Sequence, residues 1–178
     1  MKYYTDKLYL AQVDKNDNVT GQVERWEAHK KGILHRGFTV ILFYGDKIVL
    51  QHRRHPAFDK FWDLSFSSHQ IYKNNSLQNN REAIGETLKR EWNIDKNGLK
   101  RAVQFLGKIY YRAKDPNSIY TEHEFDYIYS AELKNTPNPN SNYAYGFELI
   151  DNSEFSILNS KFSLTPWVEK IIAEIAII

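Results

Sequence analysis

Three observations predict an α/β fold. Strand-length apolar runs recur along the chain, at Phe38 to Tyr44, Lys47 to His52, Val103 to Arg112 and Ile119 to Leu133. Segments of helical period interrupt them, one around Trp26 and one running to Trp92. The stretch Phe61 to Ile94 joins the two kinds of element: a strand from Trp62 to His69, a polar loop, and an amphipathic helix opening at about Ser76. At 178 residues the chain suits one domain over 1–178, large enough to bury a real core.

In order, Leu8 to Asp14 and Val19 to Val23 form a hairpin around the turn cluster Asp14 to Asn18. Glu24 to Lys31 has a helical period, and Gly32 stops it. Phe38 to Tyr44 and Lys47 to His52 make a second hairpin through Gly45-Asp46, apolar enough to be buried on both faces. A basic loop, Arg53 to Lys60, leads into the strand–loop–helix unit. In its helix Leu77, Ile84, Leu88 and Trp92 approximate one apolar stripe, and Glu91 falls at the edge of that stripe. Two long strands follow, then an Asn- and Pro-rich loop at 135–142 and a short strand from Tyr143 to Ile150. Asp151 caps a short helix. Thr165-Pro166 opens a last helix, Trp167 to about Ile175, with proline at its first position. The sequence holds no repeat and no linker.

Composition excludes several classes. A net charge of +2 gives no electrostatic case for nucleic acid. With no cysteine there is no disulfide, no thiolate metal site and no cysteine nucleophile. The N-terminus has no apolar signal core and no segment has membrane-spanning length, which predicts a soluble, cytoplasmic protein. Monomer and homodimer both stay open. The 12 Tyr, 10 Phe and 4 Trp are abundant enough to line a site where apolar surface meets polar tips.

The densest candidate chemistry is His29, His35, His69, Glu122 and Glu124. Glu122 and Glu124 share one face of a strand. Two carboxylates so close repel, and a cation between them keeps both ionised. Three imidazoles and two carboxylates suit a divalent metal of moderate hardness. Taken singly, these five residues read more simply as loop histidines and a wet acidic strand.

Longer motifs change that balance. Glu27 to Phe38 (EAHKKGILHRGF), Tyr120 to Tyr127 (YTEHEFDY) and Ser163 to Trp167 (SLTPW) occur in this order around the strand–loop–helix unit. Over about Val13 to Glu169 the chain resembles the type 1 isopentenyl-diphosphate isomerases of the Nudix superfamily. The resemblance implies a mixed β-sheet sandwiched between α-helices. It implies one divalent metal (Mn2+, Mg2+ or Zn2+) on His29, His35, His69, Glu122 and Glu124. It implies a second cation, Mg2+, on the substrate diphosphate, held by Glu91, with Arg25 and Arg53 contacting that diphosphate. Glu124 and Tyr111 would serve one face of a carbon–carbon double bond, and Trp167 would stabilise the carbocation between proton addition and removal.

The departures bear on activity. Ser67 stands where the family has its catalytic cysteine; Asp63 and Leu64 replace a threonine and an asparagine, and Gln70 replaces a proline. In the helix Thr87 and Arg90 occupy positions where Nudix hydrolases carry glutamates, and Asn93 replaces a glycine. A serine hydroxyl is a far weaker acid than a thiol and needs an adjacent base. The sequence therefore predicts an isomerase-like protein acting on a small prenyl diphosphate, slow or inactive for want of the thiol. The alternatives are a Nudix diphosphohydrolase of a nucleotide or other diphosphate, in which metal-activated water attacks phosphorus, and a non-catalytic diphosphate binder.

Overall fold

The computed structural model describes residues 2–175. A short helix α1 (Lys2–Thr5) precedes the hairpin β1 (Tyr9–Val13) and β2 (Val19–Glu24). Helix α2 (Arg25–Lys31) follows, capped by the Glu24 side chain and closed by Gly32 in the left-handed region at φ 61°. Strands β3 (His35–Tyr44) and β4 (Lys47–Arg53) come next, then β5 (Trp62–Leu64), β6 (Phe66–Ser68) and the small hairpin β7 (Tyr72–Lys73) and β8 (Ser76–Leu77). Helix α3 (Asn80–Trp92), strands β9 (Gln104–Lys114), β10 (Thr121–Glu132) and β11 (Ala144–Asp151), a 3-10 segment (Asn152–Ser160) and helix α4 (Pro166–Glu174) complete the order.

Nine of the strands form one mixed sheet. Along one path the order is β11-β4-β3-β1-β2, and β10 runs parallel to β3 with β9 antiparallel on its far side. Period two decides which face each β3 side chain meets. Phe38, Val40 and Leu42 pack with Ala83, Ile84, Leu88 and Trp92 of α3. Ile41 faces the other way and packs with Trp167, Val168 and Ile171 of α4. The sheet thus lies between helices, the α/β arrangement that the sequence predicts. On the α4 side the apolar end holds Ile41, Ile109 and Ile128. The same face continues through Thr39 and Asp126 to His35, Glu124 and Glu122, all buried. The polar site is the other end of a core face.

Two expectations need correction. Trp62 to His69 is not one strand. Ser65 takes φ 46° and breaks it, so that β5 pairs with β4 and β6 with β3. The break is held by hydrogen bonds: Ser65 Oγ donates to Val49 O (2.7 Å) and accepts from Leu42 N (2.8 Å), and Ser65 O accepts from the Trp92 indole (3.1 Å). Nor does the helix open at Ser76. Asn74 and Asn75 both have positive φ and turn the β7–β8 hairpin, the conformation a two-residue Asn turn favours. The helix starts at Asn80 behind a capping box of Asn79 and Glu82. Its end at Trp92 agrees with expectation, because Asn93 adopts the left-handed cap that glycine otherwise supplies.

Candidate active site

Helix α2 places Arg25 and His29 four residues apart on one buried face. Gly32 then turns the chain so that β3 begins at His35. The β3–β10 register sets Glu124 opposite His35, and Glu122 points to the same side two residues earlier. Beside them Gly37 leaves the room that Glu124 fills: a Cβ there would lie 2.5 Å from Glu124 Oε2. His69 follows directly on β6.

The structure brings His29, His35, His69, Glu122 and Glu124 together, with one ligand atom from each within 4.8 Å of all the others. His29 Nδ1 is 2.6 Å from Arg25 O, and His35 Nδ1 is 2.7 Å from Ile33 O. These carbonyls fix the ring protons on Nδ1 and leave both Nε2 lone pairs facing inward, the outer-shell arrangement of metal-binding histidines. His35 Nε2 lies 3.1 Å from Glu124 Oε1 and 3.3 Å from His69 Nε2, and His69 Nε2 lies 2.7 Å from the same Oε1. Glu122 Oε2 is 3.0 Å from His29 Nε2 but has no aligned hydrogen bond. Ring nitrogens and carboxylate oxygens that converge in a buried pocket suit a divalent metal. The same preference for positive charge marks the side chains. Burial opposes a charged His29 ring, yet the Glu122 carboxylate outweighs it and holds its pKa up to about 9. Burial works against ionised Glu124, and His69 and His35 overcome it, holding that carboxyl well below its usual range.

Tyr111 donates to Glu124 Oε2 at 2.7 Å. A cavity of about 20 Å3 is lined by Ser67 together with Tyr111, Glu124, Trp167 and Arg53. Ser67 Oγ lies 2.8 Å from Thr39 Oγ1, 3.0 Å from Trp167 Nε1 and 3.3 Å from Asp63 Oδ1. Thr39 also bonds Asp126 Oδ2 at 2.8 Å, and burial together with Glu124 pushes the Asp126 carboxyl well above its usual range. Asp63 is fully buried. It accepts from Arg53 Nη1 (2.5 Å), Trp167 Nε1 (2.8 Å) and the Leu64 amide. Asp63 and Ser67 meet because the strand breaks between them, rather than by alternation along it.

A second cavity, also about 20 Å3, shares the wall of His55, Ser67, Ser68 and His69 and continues to Arg25, His29 and Glu91. Helix α1 roofs it: Arg25 Nη2 donates to Tyr3 O at 2.7 Å and the Trp26 indole to Tyr4 O at 2.8 Å. Glu91 sits deeper than the edge of its helix stripe, at 6 % exposure, in the row Ala83–Thr87–Glu91. Arg53 reaches this region already paired with Asp63, its guanidinium 5.0 Å from the Trp167 ring centroid.

Four participants escaped sequence reasoning. Tyr3 belongs to a segment too short to carry a period. His55 lines both cavities; its Nδ1 lies 3.1 Å from both the amide nitrogen and the carbonyl oxygen of Ala57, and burial, then Arg53, keeps the ring neutral. Thr39 lies inside an apolar run. Arg90 was legible only as a glutamate position lost.

The architecture is that of the Nudix fold. A solved protein from Deinococcus radiodurans superposes with a TM-score of 0.68 over 93 % of this chain and 97 % of its own, at 17 % identity. A MutT Nudix hydrolase from Burkholderia pseudomallei does so with a TM-score of 0.59 over 80 % and 98 %, at 15 % identity. No family model matches the chain. Sequence relatives narrow the class. Isopentenyl-diphosphate Delta-isomerase 1 of Mesocricetus auratus is 31 % identical over 90 % of this chain and 78 % of its own length. The isomerase of Pectobacterium atrosepticum is 28 % identical over 92 % and 88 %. The chain belongs to the isopentenyl-diphosphate Delta-isomerase family.

Proposed function

We propose that the protein binds isopentenyl diphosphate or a similarly small prenyl diphosphate and interconverts its double-bond isomers slowly, with Ser67 in place of a cysteine. The observation that carries this reading is that Glu124, Tyr111, Ser67 and the Trp167 indole line one cavity. Isomerisation adds a proton to the terminal alkene carbon and removes one from the carbon next to the diphosphate-bearing end, so the substrate needs a proton-exchanging group on each face.

Glu124 with Tyr111 serves one face. On the other, Ser67 is a weak acid that relies on its neighbours Asp63 and Thr39. His29, His35, His69, Glu122 and Glu124 would hold a divalent ion, whose charge when bound keeps both carboxylates ionised. The diphosphate goes to the second cavity, toward Arg25. Helix α3 weighs against hydrolysis: Thr87 and Arg90 leave Glu91 as the one acid of its Nudix positions.

The test is a pair of variants assayed for isomerisation and phosphate release together. General acid–base assistance is worth roughly 10²–10⁴-fold, so Ser67→Cys should raise isomerisation toward that range. Loss of residual isomerisation in Asp63→Asn, with the fold intact, would identify Asp63 as the partner of Ser67. Phosphate release from a nucleotide by the wild type, with no isomerisation in either variant, would replace this reading with a diphosphohydrolase.

A further inference from the structure

The magnesium that the sequence resemblance places on Glu91 does not fit the residues around it. Magnesium takes close to six oxygen ligands and keeps several of them as water or phosphate. Glu91 offers one carboxylate, and both of its oxygens have partners: Arg90 Nη2 on Oε1 at 3.0 Å and Gln51 Nε2 on Oε2 at 3.4 Å. Burial pushes the Glu91 carboxyl above its usual range, while Arg90 pulls it back. The surroundings repel a further cation and invite an anion. Arg25 lines the cavity with Glu91, Arg90 and Arg53 both act on the Glu91 carboxylate, and each of the three keeps a buried Nε without a partner among the described residues. Arg25 is 3 % exposed and Arg53 4 %. Arg90 Nη2 also reaches Ser68 Oγ at 3.3 Å and Thr87 Oγ1 at 3.1 Å, placing it against two residues, Ser68 and Glu91, that line the second cavity. Its guanidinium lies 3.7 Å from the centroid of the Tyr3 ring in the roof.

We infer that Arg90 takes the place of the second cation: its guanidinium, held by Glu91, neutralises the diphosphate of the ligand, and the protein works with one divalent ion rather than two. The inference rests on the diphosphate reading above and adds a binding residue to it. A guanidinium presents two parallel N–H donors to phosphate oxygens and never loses its charge, so it performs this task without free magnesium. Arg90 accounts for its own departure from the Nudix pattern. A glutamate there would help hold a cation, whereas an arginine stands in for one. Thr87, one turn earlier, accepts from the guanidinium and aims it.

The experiment uses the full chain, Mn2+ as the metal and inorganic pyrophosphate as the probe. Manganese bound per chain is counted with and without pyrophosphate, and pyrophosphate affinity is measured by calorimetry. The expected result is one Mn2+ per chain in both states. Arg90→Met should weaken pyrophosphate about tenfold or more, the scale of one hydrogen bond between charged groups. Arg90→Glu should take up a second Mn2+ with pyrophosphate. Two Mn2+ per wild-type chain, or unchanged affinity in a folded Arg90→Met, overturns the inference and leaves the diphosphate reading standing. Wild-type protein that binds Mn2+ but no pyrophosphate overturns both. The wild-type count needs no variant, so a poorly folded Arg90→Met does not blunt the test.

Discussion

The two walls of the reaction cavity are built on opposite electrostatic plans. On the histidine wall, His35 Nε2 and His69 Nε2 crowd onto one carboxylate oxygen, Glu124 Oε1, at 3.1 and 2.7 Å, and lie 3.3 Å from each other. On the Ser67 wall every charge is answered within the protein. Arg53 pairs with Asp63, and Asp63 takes the Trp167 indole as well. The first wall suits a bound cation. The second pairs its opposite charges within the protein, while Arg53 Nε has no partner among the described residues. The proposed isomerisation needs both walls to act, and under that proposal the second would limit the rate.

The contrast can be broken at either wall. Gly37→Ala has the largest expected effect: its Cβ would displace the Glu124 carboxylate, and metal retained after desalting, measured by elemental analysis, should fall to background while the fold persists. Metal retained at wild-type level would mean that Glu124 is not a ligand. Next is Asp63→Asn, which leaves Arg53 buried without its counter-charge and should cost about 3–5 kcal/mol, read as a lower denaturant midpoint. A loss under 1 kcal/mol would make the second wall less self-contained than its geometry implies. Thr39→Val removes the hydroxyl between Ser67 and Asp126 and should cost about 1–3 kcal/mol for the unpaired carboxyl.

The smallest effect belongs to a control outside both walls. Asp17 is bound by Arg36 at 2.7 Å, Lys108 at 2.7 Å and Tyr127 at 2.6 Å. Burial opposes its charge, but these donors prevail and lower its pKa. A lowered carboxyl pKa stabilises the fold above the unfolded value of about 3.9 and is lost as pH falls through the folded value. Asp17→Asn should therefore cost at most about 1 kcal/mol near neutrality, as expected for a part-exposed ion pair. The gap between the two melting curves should close in acid. A gap that widens in acid would reverse the sign.

How much of this was legible depended on whether a residue's role is local. Glu122 and Glu124 share a face because strands alternate, and α3 exposes its rows through the helical period, so both could be read from spacing. The candidate histidine ligands came through motif resemblance, since the gap between His29 and His35 is no standard ligand spacing. What stayed hidden was set by tertiary contact. Nothing in a serine announces a left-handed conformation; Ser65 adopts it because Val49, Leu42 and Trp92 together satisfy it. The turn at Asn74-Asn75 carried a signal, but the apolar Leu77 beside it resembled the start of the helix stripe. Arg90 could be read as a missing acid, while its contacts with Ser68 and Tyr3 depend on segments far away in sequence.

Ser65 has a consequence for how this site can change through descent. In an unbroken strand, Asp63 and Ser67 would stand roughly 13 Å apart, four residues at about 3.3 Å each. Here Asp63 Oδ1 and Ser67 Oγ are 3.3 Å apart. One backbone angle, at a residue that touches neither metal nor ligand, therefore decides whether acids and hydroxyls acquired on either side of it become chemical neighbours. An exchange at 63 or at 67 therefore changes the surroundings of the other, because the turn at Ser65 brings the two side chains together.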